Sequence, residues 1–158
     1  MSDQFDPDQL HVEYNRYDGF VSIAYNNIWI PRCNQTEVRG SRMFFNIDNE
    51  FFIKVCNGEY GISQCKTETY KYAQIEAKDR RYFTELLYAC DFKGKYHWTV
   101  WRYVQLRKCS TEGELFEACL NKVNQLALKY GIFDLSGCWN WNWWIHNNEP
   151  LIVDIGCE

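Results

Sequence analysis

Two short runs rich in aromatic and β-branched residues, Arg42-Met43-Phe44-Phe45-Asn46-Ile47 and Phe51-Phe52-Ile53-Lys54-Val55, are joined by only Asp48-Asn49-Glu50. Residues of this kind suit a pleated, half-buried surface, and so short a polar connection turns the second run back beside the first. The segment therefore reads as a β-hairpin, with Gly40-Ser41 just before its first strand. Within it Lys54 is the odd residue. An ammonium on a half-buried strand needs a partner or a ligand phosphate to offset its desolvation. In a period-two strand between Ile53 and Val55, the other reading turns Lys54 toward solvent on the polar face.

The rest of the chain fills out an α+β order. A helical stretch from about Thr67 to Leu87 puts Glu68, Tyr72 and Ile75 on one face, at the spacing i, i+4, i+7. The β-forming run Tyr96 to Val104 reads as a further strand or two. Thr111-x-x-Glu114 has the form of a capping box for a second helix carrying Leu115, Cys119, Val123, Leu126 and Tyr130, with Gly131 as its stop. Trp139 to Ile145 and Leu151 to Ile155 form a closing hairpin around His146-Asn147-Asn148-Glu149-Pro150. Ahead of all this, residues 1–36 hold the apolar runs Phe20 to Ala24 and Ile28 to Ile30, and read as short strands or an irregular cap.

Composition narrows the classes of function. The 158 residues are about one domain's worth, with no linker-like tract, so a single domain over 1–158 is expected. With 18% aromatic residues, much of the core volume must come from large rings. A formal charge of −4 argues against a nucleic-acid binder, which needs a clustered lysine and arginine surplus. No apolar run approaches the roughly 20 residues that span a bilayer, and the N-terminus lacks basic and hydrophobic leader regions. No membrane partner and a cytoplasmic location, the host cytoplasm for a viral protein, are expected. None of the eight cysteines forms a Cys-x-x-Cys pair, so most are read as buried thiols rather than zinc ligands or disulfides. His11, His97 and His146 have no ligand pattern around them and are read as structural or surface residues.

At this point the order of features resembles the protein kinase-like fold, including its small and divergent bacterial and phage members. The strand Phe52-Ile53-Lys54-Val55 looks like the family's third strand with its phosphate-binding lysine, and Glu68 like the helix C glutamate that positions it. Gly40-Ser41-Arg42 looks like a remnant of the glycine-rich loop. Tyr130-Gly131-Ile132-Phe133-Asp134-Leu135 resembles a catalytic loop, and Val153-Asp154-Ile155-Gly156 the metal-binding Asp-Phe-Gly signature. The resemblance covers about residues 37–157. It implies an N-lobe of antiparallel sheet plus one helix, and a truncated C-lobe of one long helix plus a hairpin. ATP and Mg²⁺ are the implied cofactors. Lys54 would hold phosphates, Asp154 and Asn140 would hold the metal, and Asp134 would be the catalytic base.

The departures decide between two functions. One glycine replaces the family's glycine-rich motif, no His or Arg precedes Asp134, and one inserted residue is needed to bring Asn140 to the second metal position. No activation loop follows Cys157-Glu158 in this sequence. These erosions favour a weakly active or inactive relative, a pseudokinase, that works by binding a cellular or host protein. The alternative is an active minimal ATP-dependent phosphotransferase. The row Trp139-Asn140-Trp141-Asn142-Trp143-Trp144 has two meanings open: indoles filling a core, or exposed rings that stack on a ligand or anchor a partner.

Overall fold

The computed structural model describes residues 4–14, 21–33, 42–56, 58–90, 97–106, 112–132 and 143–153. They form a mixed α+β structure of antiparallel sheets and a few helices, in two compact units. One unit comprises Met1–Cys65 with Leu86–Val104, and the other Lys66–Glu85 with Gln105–Glu158.

The first unit begins with a three-stranded meander, β1 (Leu10–Tyr14), β2 (Val21–Tyr25) and β3 (Ile28–Ile30). The expected hairpin follows as β4 (Arg42–Ile47) and β5 (Phe51–Cys56), with Phe44 opposite Lys54 and Phe45 opposite Ile53. Its turn is built on residues that tolerate left-handed backbone. Asp48 and Asn49 take φ of 53° and 56°, Glu50 N–H donates to the Ile47 carbonyl, and the Asn46 side chain accepts from Asn49 N–H. The same chemistry closes β2–β3 through Asn26-Asn27, both at positive φ, as a two-residue loop demands.

After β5 comes helix α1 (Gly58–Gln74), which starts and ends earlier than the stretch Thr67 to Leu87 expected from periodicity. Gly58 and Gly61 cost about 1 kcal/mol each in helix propensity, which hides the true start. The C-terminal end is set by one local and one distant side chain: Arg80 Nε donates to the Ile75 carbonyl five residues back, and Glu76 N–H donates to the Tyr130 hydroxyl. A short 3-10 turn, Ala77–Tyr82, replaces the helix's expected last turns. Leu86 and Leu87, expected to be helical, belong to strand β6 (Leu86–Ala89), which pairs with β7 (His97–Arg102).

The four strands lie in the order β4-β5-β7-β6, so β5 is interior. Phe45, Ile47, Phe51, Ile53, Val55 and Val100 line one face, and Val21, Ile23 and Tyr25 of β2 pack against them. Phe5 joins this core, stacking on Tyr25 with ring centroids 5.1 Å apart and meeting Phe51 and Trp98 edge-on. A bridge between Arg32 and Phe45 carries the chain from the meander to the edge of β4. Residues 1–36 thus include an ordered sheet whose inner strand completes the core.

The second unit is organised around helix α2 (Glu114–Tyr130). It buries Cys119, Val123 and Leu126, while Leu115, expected on that face, is exposed. Gly113 at φ 98° is the N-cap and makes no side-chain cap, so Glu114 opens the helix; Thr111, the capping residue expected, lies outside the described residues. Gly131 does stop it, at φ 63°, its N–H donating to the Ala127 carbonyl. The hairpin β8 (Trp143–His146) and β9 (Glu149–Ile152) turns at Asn147-Asn148, again both at positive φ. Ile152 also pairs with Phe83 and accepts from Thr84 N–H, which ties β9 to the segment after the 3-10 turn.

Candidate functional site

Period-two alternation sends Ile53 and Val55 into the apolar core and Lys54 to the opposite face of β5. An antiparallel sheet can leave one face to water, but this face is covered at Lys54, which is 4% exposed, so the reading that turned it outward fails. Phe44 flanks it on β4 and Thr99 on β7. Phe52 and Cys56 stand two residues either side on the same strand, opposite Trp101 and His97.

The Lys54 ammonium lies 4.8 Å from the centroid of the Trp101 ring. A desolvated cation over an indole gains about 2 kcal/mol, which offsets part of the penalty for removing the charge from water. Trp101 is fixed in turn, since its Nε1 donates to Thr99 Oγ1 at 2.9 Å. His97, Thr99 and Trp101 are all buried. One sheet therefore has two unlike faces, an apolar core of aliphatic and aromatic side chains on one side and a face of mixed polar and aromatic residues centred on a buried cation on the other. Cys56 belongs to the second face, and its sulfur is bonded to Cys65 in α1, nine residues on. That bond corrects the reading of these two cysteines as thiols; Cys119 is a buried thiol, as expected.

On α1, Gly61, Cys65, Glu68 and Tyr72 repeat at helical spacing and are all buried, with Ile75 continuing the stripe. Glu68 is fully buried. The expected grouping of Glu68, Tyr72 and Ile75 on one face is therefore present.

A second polar cluster, invisible to sequence reasoning, lies in the other unit. Asp79 Oδ2 accepts from Lys129 Nζ at 2.7 Å and from the Tyr130 hydroxyl. Lys129 also pairs with Glu76 at 3.3 Å, and Glu76 with Lys78 at 3.4 Å. The hydrogen bonds from Lys129 and Tyr130 hold the Asp79 carboxyl below the usual carboxylate range. The bond to Asp79 in turn raises the Lys129 ammonium, and burial leads in raising the Tyr130 phenol. Residues 79 and 129 are fifty positions apart, so no local pattern signals the pair.

Beside this cluster an open groove of about 450 Å³ is lined by Lys66, Thr67, Tyr70, Lys71, Gln74 and Tyr130. In the tryptophan row, Trp143 is fully buried and stacked on Phe116, with centroids 5.9 Å apart. Trp144 points to the other, half-buried side of β8. For Trp143 the core-filling meaning holds.

Of the expected site residues, Lys54 and Glu68 are described, whereas Gly40, Ser41, Asp134, Asn140 and Asp154 lie outside the described residues. His97, Thr99 and Trp101 join Lys54 unannounced. The alternation in Tyr96 to Val104 held that information, but only the register against β5 gives it meaning. Among the described residues no group of three or more His, Cys, Asp or Glu is arranged to hold a metal ion, and no helix is long and apolar enough to cross a membrane. Comparison with known proteins finds no matching protein family, no matching curated protein and no matching solved structure.

Proposed function

We propose that this chain is a kinase-like nucleotide-pocket protein, weakly active or inactive in phosphoryl transfer, that acts by binding a cellular or host protein. The observation that carries the reading is the buried Lys54 ammonium on an interior antiparallel strand, on a face lined by Thr99, His97 and Trp101. A cation kept there against its desolvation cost is what a phosphate-binding lysine requires. Its strand is followed directly by a helix bearing the buried Glu68, a carboxylate at the position the resemblance assigns to the lysine's counter-charge. In sequence, the β8–β9 hairpin leads into Asp154, the proposed metal ligand, with Asn140 and Asp134 upstream in the catalytic-loop resemblance. ATP and Mg²⁺ are the proposed ligands of this set.

Weak or absent turnover follows from what the loops lack. With one glycine at Gly40 in place of the glycine-rich motif, the loop sequence lacks the glycines that let backbone N–H groups approach phosphates closely. With no His or Arg ahead of Asp134, the base has lost its usual orienting neighbour.

A thermal-shift measurement tests the reading. ATP with Mg²⁺ should raise the melting temperature by mass action, equivalent to about 2.7 kcal/mol at a hundredfold excess over Kd. Lys54→Met and Asp154→Asn should each melt cooperatively without ligand and lose the shift. No shift in the native chain sinks the nucleotide-pocket reading. Incubation with labelled ATP then separates the two functions, since rapid phosphate transfer establishes an active phosphotransferase in place of a pseudokinase.

A further inference from the structure

The groove beside Tyr130 has a regular pattern. At 100° per residue, Lys66 and Lys71 fall on the two edges of one stripe of α1, with Tyr70, Gln74 and Thr67 between them. This stripe is turned away from the one that buries Cys65, Glu68 and Tyr72. Neither lysine makes an ion pair or hydrogen bond among the described residues, although the chain carries a net negative charge. The nearby carboxylates of Glu76 and Asp79 are already engaged with Lys78, Lys129 and Tyr130. Two cations uncompensated among the described residues thus flank a floor of tyrosine rings and an amide. Tyr70 is 69% exposed, and the Tyr130 hydroxyl is held in place by its bond to Asp79.

We infer that this groove is a docking site for an extended, acidic peptide segment of a protein partner, with two carboxylates at alternate positions meeting Lys66 and Lys71. Five helical residues set the lysines about 7.5 Å apart along the axis and about 140° apart around it, roughly 10 Å between their Cβ atoms, a gap that their long flexible stems can narrow over the groove between them. Alternate side chains of an extended strand are about 6.7 Å apart on one face, so a segment with glutamate at i and i+2 spans the pair. Tyrosine supplies amphipathic contact area at low entropy cost, and Gln74 offers both a donor and an acceptor to the peptide backbone. Lysine, a point charge on a flexible stem, suits carboxylates that need no bidentate fork. The groove lies within the second unit and works without nucleotide, so it stands or falls separately from the Lys54 reading.

Fluorescence anisotropy with a short dye-labelled peptide carrying glutamate at two alternate positions tests this, run without ATP. Binding should weaken as salt rises and should be absent for the same peptide with glutamine at both positions. Lys66→Ala and Lys71→Ala should each weaken it about three- to fivefold, and together about tenfold or more. Both side chains are at the surface, so unchanged melting curves will show that the variants are folded. The charge-reversed pair Lys66→Glu with Lys71→Glu should reject the glutamate peptide and accept its lysine counterpart. Equal binding of the glutamine peptide, or full binding by the double alanine variant, overturns the proposal. So does displacement of the peptide by inorganic phosphate or ATP at equal ionic strength, because the groove would then be an oxyanion site.

Discussion

Asp79 shows how one residue can organise its surroundings without advertising itself in the sequence. It is 6% exposed, and its carboxylate takes hydrogen bonds from both Lys129 and Tyr130. Because those bonds lower its folded-state pKa, the stability it contributes is complete above the unfolded value of about 3.9 and is lost as pH falls through the lower folded value. Lys129 is raised by the same contact, so its share is present below the ordinary lysine value of about 10.4 and fades as pH climbs above it. Asp79→Asn is therefore expected to melt below the native chain near neutral pH. The gap should close as pH drops below about 4, which melting curves across the acid range will show. Lys54 poses the opposite case. Its identity inside an apolar strand marks it as an anomaly in the sequence, yet whether it meets solvent or a buried face depends on what covers its side of the sheet. Trp101 over its ammonium is not legible in the sequence at all, since the contact needs the Phe52–Trp101 register.

At the scale of elements, the turns are the most legible features. Asp48-Asn49 and Asn147-Asn148 bend where their residues tolerate left-handed backbone, and the strands on either side follow. Helix α2 is equally legible in its core face and its stop. A methyl group added at Gly131 would meet no atom within 4 Å, so only the φ of 63° resists substitution there. Gly131→Ala is accordingly expected to cost about 1–2 kcal/mol, the penalty for a left-handed L-residue, measured by urea unfolding with an unchanged m-value. Loss of more would mean that the helix end also depends on close packing there. Both ends of helix α1 escape the local pattern for physical reasons. Two glycines weaken its first turns, and its end is fixed by Arg80 and by Tyr130, the latter from a distant helix. The first two residues of strand β6, Leu86 and Leu87, read as helix in the sequence because the strand's pairing with β7 bridges a gap that no local period reports.

For the whole molecule, the Cys56–Cys65 bond has the broadest consequence, because it fastens the strand of Lys54 to the helix that follows. Closing a loop of nine residues' separation restricts the unfolded chain and is worth roughly 2–3 kcal/mol. A thiol reductant should lower the melting temperature of the native chain and leave a Cys56→Ala, Cys65→Ala double variant unmoved. Equal sensitivity of the two would show that the bond contributes nothing to stability. The sequence by itself determined the antiparallel hairpins, the long second helix, the mixed α+β class and the oddity of Lys54, because these follow from local periodicity and from residues with restricted backbone preferences. Tertiary structure alone decided that Lys54 is buried, that Trp101 covers it, that two cysteines meet, and that Asp79 joins Lys129. Each of these is a contact between residues distant along the chain or on different elements, and its energy exists only once strand order and register have brought the partners together.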